Sequence, residues 1–279
     1  MQKKRSFTPP RLTEHPAPGQ QNSVGHDARM PRMILSRRES SFAFLAGKPM
    51  PQLERKPNFM RATVTALLAA FVFSAIVTAF RYDNWTRAHV VASHGKGWKK
   101  SSDARMWGAV SRYGDWPWLM LAGGAGLFVA WRARNRDWQR ILVTAMVAST
   151  FSGIVANGMR LTTGRARPNA GVPEGWYGLV HDGRLTIGNP KFNSFPSGHT
   201  ATAVGFAGVI LFARPLPGVF ALLAALAIAA ARIVLGAHHL SDVTVAALLA
   251  IFIAWICWRE ARRHGDAIAA WFARKFRRQ

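Results

Sequence analysis

A chain of 279 residues in which 49% are hydrophobic, gathered into separated runs, excludes an ordinary soluble core and points to a polytopic membrane protein. The single cysteine, Cys257, lies inside an apolar run and excludes both an intrachain disulfide framework and a multi-cysteine zinc site. A net charge of +24 raises nucleic acid as a partner, but the basic residues flank apolar runs where they set topology, so no nucleic acid is expected.

Residues 1–58 hold no apolar run of useful length and are rich in Pro, Arg, Ser and Gln, which predicts a disordered, basic cytoplasmic tail, with Met60 as an alternative start. Residues 62–80 then give 19 positions without a charge, bracketed by Arg61 and Arg81, the clearest membrane span. Its length and the lack of a small-x-small site argue against a cleaved signal peptide. Residues 81–115, with Lys96, Lys99 and Lys100, read as a loop holding a short amphipathic helix. Apolar runs follow at 116–131, 141–159, 200–212, 216–231 and 243–258.

The fold expected is therefore all-α, with six transmembrane helices in a domain over 59–260 and a basic cytoplasmic tail over 261–279. Several runs are short, about 20–24 Å at about 1.5 Å per residue, so flanking turns must continue the helices through the interface. Trp116, Trp118, Trp131, Trp255 and Trp258 sit at run ends, where amphipathic rings suit the headgroup layer. Six spans place 24 Lys and Arg on one side and 13 on the other, so both termini are expected in the cytoplasm.

This topology brings three polar clusters to the outer face. They are Arg160-x6-Arg167-Pro168, then Pro196-Ser197-Gly198-His199, then Arg232-x5-His238-x3-Asp242. Three guanidiniums, each a planar five-donor fork, suit a phosphate dianion. Ser197 and the backbone N–H groups around Gly198, at a helix start, add neutral donors. His238 and Asp242, four apart, fall on one helix face, so the carboxylate can hold Nδ1–H and leave Nε2 free as a nucleophile. His199 is placed to give a leaving alkoxide its proton, and His239 reads as structural. No H-E-x-x-H pattern is present and the arginines repel a divalent cation, so neither metal nor cofactor is expected.

Jointly the clusters resemble the signature of the membrane type-2 phosphatidic acid phosphatases, relatives of the vanadium haloperoxidases. That signature is Lys-x6-Arg-Pro, Pro-Ser-Gly-His and Ser-Arg-x5-His-x3-Asp. The order and spacing match, with Arg160 in place of the lysine and Ala231 in place of the serine. The resemblance covers roughly residues 116–258 and implies a helical-bundle phosphatase of this type. It implies that His238 attacks phosphorus, that Asp242 orients it, and that His199 protonates the leaving group and then activates water. Arg160, Arg167, Arg232, Ser197 and Gly198 would hold the phosphoryl oxygens. The substrates implied are phosphorylated membrane lipids: phosphatidic acid, phosphatidylglycerol phosphate, undecaprenyl pyrophosphate or lipid A phosphate. The site would face the periplasm from a bacterial inner membrane. The alternative is a catalytically silent relative that binds or transports a phospholipid, motivated by Arg160 and Ala231.

Overall fold

The computed structural model describes residues 59–276 apart from 93 and 96, so the expected tail 1–58 and Lys96 lie outside the described residues. The described chain is mostly helical. In order, it forms α1 (Phe59–Thr86), α2 (Ser102–Arg112), α3 (Trp116–Arg132), α4 (Arg136–Thr163), a hairpin of β1 (Val180–His181) and β2 (Arg184–Leu185), α5 (Gly198–Ala213), α6 (Pro215–Val234) and α7 (Leu240–Phe276).

Helix ends follow local chemistry. Asn135 Oδ1 accepts the Trp138 N–H over 3.1 Å to cap α4, and Ser101 Oγ accepts the Ala104 N–H over 3.1 Å to cap α2. Pro117 and Pro215 occupy the first turns of α3 and α6, where a missing N–H costs nothing. Gly164 ends α4 at φ 58°, and a Cβ there would stand 2.1 Å from the Gly178 carbonyl oxygen, so conformation and space both require glycine.

The bundle is organised around α5, which is walled by α4, α6 and α7. Every residue from position 200 to 210 except Phe206 is buried. Small side chains make this possible: a Cβ on Gly205 would lie 2.6 Å from Ser152 Oγ and 3.1 Å from the Ala148 carbonyl oxygen, so α4 and α5 touch nearly backbone to backbone. The buried clusters around it are made of Ile141, Ala145, Ala148, Val209 and Ala254, and of Ala203, Val204, Ala207, Ala225 and Ala250. Large apolar groups face outward instead, among them Phe71, Phe73, Phe128, Phe151, Phe220 and Phe252. Lipid tails are as apolar as these side chains, so such a surface is stable only in a membrane.

All six predicted runs lie within helices, and the amphipathic segment predicted in 81–115 is α2. Four stretches are long and apolar enough to cross a membrane: Met60–Val91, Arg136–Thr163, Pro215–Val234 and Leu240–Gly265. α3 and α5 are shorter, at 17 and 16 residues. α5 measures about 24 Å, and because protein surrounds it, its polar ends are met by neighbouring loops rather than by lipid. α7 also runs past the expected span into the residues read as a C-terminal tail.

The order of helices gathers the C-terminal ends of α1, α4 and α6 with the N-terminal ends of α5 and α7. Thr163 Oγ1 donates to the Phe195 carbonyl over 2.9 Å, and the Ser197 N–H donates to the Asp242 carbonyl over 3.1 Å. The three polar clusters therefore meet at one end of the bundle.

Candidate active site

At that end Gly236, at φ 64°, turns the chain between α6 and α7 and buries His238 completely. Its Nδ1 lies 2.6 Å from the Ser194 carbonyl oxygen. A carbonyl only accepts, so Nδ1 carries the proton and Nε2 keeps its lone pair. Asp242 Oδ2 is 3.6 Å from Nδ1, beyond hydrogen-bond reach. The orienting acceptor of His238 is thus the Ser194 backbone, not the carboxylate that the i, i+4 spacing suggested. Asp242 instead acts as a hub, accepting from Arg165 Nη1 over 2.6 Å, from Ser194 Oγ over 2.5 Å and from the His239 N–H over 2.7 Å. It fixes the loop that fixes His238.

Burial pushes the His238 imidazole down to about 4, with Arg232 and Arg167 acting in the same direction and Asp242 opposing. The ring is neutral at physiological pH. His239, adjacent and also buried, is turned away, its Nε2 lying 3.1 Å from the Ala166 carbonyl oxygen.

The three predicted arginines gather at the same end, with Arg167 and Arg232 close enough to act on this ring and Arg160 close enough to act on Arg167. The Arg160 guanidinium pairs with Asn157 and lies 3.5 Å from where a Cβ on Gly198 would be, so it covers the start of α5. Arg167 donates from Nε and Nη2 to the Asn193 carbonyl, each over 3.4 Å. Burial lowers its pKa, with Asp242 opposing, yet a guanidinium remains charged at neutral pH. Arg232 Nη1 donates to Ser111 Oγ of α2 over 2.8 Å. Ser197 caps α5, its Oγ accepting from Thr200 Oγ1 over 3.0 Å, which leaves the Ser197 hydroxyl proton to donate elsewhere. The first turn also leaves the N–H groups of Gly198 and His199 without intrahelical acceptors. Among the described residues, Arg160 Nε, Arg232 Nε and His238 Nε2 are buried without a hydrogen-bond partner. Two orphan donors and one orphan lone pair at one site fit an anion with an electrophilic centre.

His199, at the mouth, holds its Nε2 2.7 Å from Asp115 Oδ1. Asp115 is the N-cap residue of α3 but makes no capping bond with its side chain, because the carboxylate is turned to the histidine. Sequence reading missed this partner; an acidic residue just before an apolar run reads as a helix start. It also missed Arg165 and Ser194, which donate to Asp242, and Ser241 and Asp83, which accept from the same Arg165 guanidinium. Burial, with Arg232, His238, Arg160 and Arg167 acting in the same direction, pushes the His199 imidazole down to about 3. The Asp115 carboxylate at 2.7 Å is the anion that opposes this, and Asp115→Asn keeps the shape but removes it. Turnover is expected to fall by up to about 100-fold, the lower end of what a positioned acid contributes, with KM little changed in steady-state assays. Ala231 is fully buried within α6.

Residues 138–266 match the family described as the PAP2 superfamily, a segment that contains all eight predicted site residues. The similarity to that superfamily rests on this segment, a little under half of the chain. A lipid A 1-phosphatase of Rhizobium etli is 30% identical over 145 residues, which covers 47% of this chain and 60% of that protein. A lipid A 1-phosphatase of Rhizobium johnstonii is 31% identical over 143 residues, 47% of this chain and 57% of its own length. Lipid phosphate phosphatase 1 of Arabidopsis thaliana is 27% identical over 150 residues, 44% and 45% of the two chains. The chain thus spans between 45% and 60% of the length of these relatives. No solved structure matches it.

Proposed function

We propose that this PAP2 protein is an integral membrane lipid phosphatase that hydrolyses a phosphate monoester or diphosphate of a membrane lipid without a metal ion. The observation that carries it is the state of His238: Nδ1–H held by the Ser194 carbonyl, Nε2 buried and unpartnered, with Arg167 and Arg232 close enough to act on the ring. The six apolar runs all cross the membrane in this account, both termini are cytoplasmic, and the site faces the periplasm of a bacterial inner membrane. The excess of Lys and Arg on the opposite side supports that orientation. The names of the two Rhizobium relatives favour lipid A phosphate among the candidate substrates.

The substrate phosphoryl group is bound by Arg160, Arg167 and Arg232, with the Ser197 hydroxyl and the N–H of Gly198 completing the donors. The His238 Nε2 lone pair forms a bond to phosphorus as the bond from phosphorus to the lipid oxygen breaks. The electron pair leaves on that oxygen, which takes a proton from His199. His199, now neutral, accepts a proton from water as the water oxygen attacks phosphorus, and the N–P bond breaks to return His238 and release inorganic phosphate. The arginines supply the charge stabilisation that a divalent ion would otherwise give.

Protonation of Nε2 removes the nucleophile, so the rate falls as pH drops through the His238 pKa. Corrected for the substrate's own second ionisation near about 6, the acid limb of kcat/KM is expected only near pH 4. A limb centred at the ordinary histidine value would show that the nucleophile is not this buried ring.

The direct test is phosphate release in detergent from phosphatidic acid, phosphatidylglycerol phosphate, undecaprenyl pyrophosphate and lipid A, with EDTA present. Release from at least one lipid that survives EDTA supports the proposal. Loss of activity in EDTA overturns the metal-free chemistry, and no release from any lipid overturns the hydrolase.

A further inference from the structure

Among the described residues, Asp83 is the buried ionisable group outside the PAP2 segment, and phosphoryl transfer as described gives it no task. It lies in the last turns of α1, where a carboxylate within an otherwise membrane-spanning helix is costly unless fully paired. Its pairing is complete. Oδ1 accepts the Ser241 N–H over 2.8 Å, and Oδ2 accepts from Ser241 Oγ over 2.6 Å and from Arg165 Nη2 over 2.7 Å. The other end of the same guanidinium, Nη1, donates to Asp242 Oδ1 over 2.6 Å and to Ser241 Oγ over 2.7 Å. The rings of Phe80 and Trp176 cover Arg165, with centroids 5.3 and 4.8 Å from Cζ. Glu174 stands at the rim, 3.9 Å from Arg165 and 3.7 Å from Arg87, which offsets its charge. One buried cation is therefore shared by two buried carboxylates.

We infer that Asp83 is a positioning residue for the reaction: by carrying the counter-charge of Arg165, it leaves the negative charge of Asp242 to act on His238. The inference rests on the histidine nucleophile proposed above. When Nε2 bonds to phosphorus, the ring still holds its Nδ1 proton, because the Ser194 carbonyl cannot take it, and so becomes cationic. An anion beside it stabilises that state. Were Arg165 paired with Asp242 alone, the two charges would cancel and the ring would face a neutral pair. With Asp83 added, the trio keeps one net negative charge, buried where water screens it poorly.

A purely structural role is the competing possibility, since Asp83 also binds the N-terminus of α7 and ties α1 to it. Asp83→Asn separates the two, because the amide oxygen still accepts the Ser241 N–H while the charge is lost. Adding Arg165→Gln removes the cation as well and returns the trio to one net negative charge.

The experiment is rapid-quench and steady-state kinetics of the full chain in detergent, on the lipid that the wild type hydrolyses, with rates divided by folded protein from size exclusion and thermal unfolding. Asp83→Asn is expected to lose about tenfold to 100-fold in kcat, the size of one lost charge at close range inside a protein, with KM within about threefold. The double variant is expected to turn over faster than Asp83→Asn alone. A single variant with wild-type kcat per folded molecule, or a double variant slower than the single, overturns the inference. Failure of the histidine nucleophile itself is seen separately, as turnover that survives His238→Gln.

Discussion

His238→Gln is expected to turn over its lipid substrate at least about 10⁴-fold more slowly than the wild type, the loss typical when the nucleophile of a covalent mechanism is removed. Glutamine is close in volume, and its amide can donate to the Ser194 carbonyl as Nδ1 does at 2.6 Å. It cannot form the N–P bond. Nothing else in the pocket substitutes: His239 is turned to the Ala166 carbonyl, and His199 is held by Asp115. The arginine donors remain in place, so the variant still binds a lipid phosphate competitively with KM-like affinity. Initial-rate assays together with inhibition by inorganic phosphate check both halves. Residual activity within tenfold of wild type would mean that His238 is a spectator.

Asp242→Asn strikes both the chemistry and the fold. The carboxylate accepts three short bonds, from Arg165, Ser194 and the His239 N–H, and is wholly buried. An amide presents an NH₂ to at least one of these donors and leaves the Arg165 cation with half its compensation. Breaking one side of such a buried pair costs about 3–5 kcal/mol. The Ser194 loop then loosens its hold on Nδ1, and the proposed mechanism loses the anion that would stabilise a cationic phosphohistidine. We expect kcat to fall by about 10⁴-fold, as when the carboxylate behind a catalytic histidine is neutralised, with a thermal midpoint in detergent lower by several degrees. An unchanged midpoint with near-normal kcat would contradict the hub geometry.

The parts of the site visible in the sequence were charged groups at the ends of apolar runs, where a cation or histidine has few roles. Arg160, Arg167, Arg232, His199, His238 and Asp242 stand out for that reason, and the fold does bring them to one end. The partners that tune them were hidden for different physical reasons. The acceptor of His238 is a backbone carbonyl, which carries no residue signature and is placed only by the folded loop before α5. Arg165 lay inside a recognised segment but two positions from the arginine that the spacing selects. Asp83 and Asp115 reach their partners Arg165 and His199 across 82 and 84 positions of chain, and periodicity carries no information at that range. The helices themselves were legible because apolar runs are long-range averages. The brevity of α5 was not interpretable until its walls were seen, since a 16-residue helix wrapped by others obeys different limits from one facing lipid.

One measurement tests the central claim most directly: rapid acid-free quenching of the wild-type protein during turnover of a lipid carrying radiolabelled phosphate, followed by analysis of label on the chain. The account predicts label bound to protein in a form stable to alkali and lost in acid, mapping to the peptide that contains His238 and missing from His238→Gln. Turnover without any protein-bound label, or label that persists in His238→Gln, would contradict it.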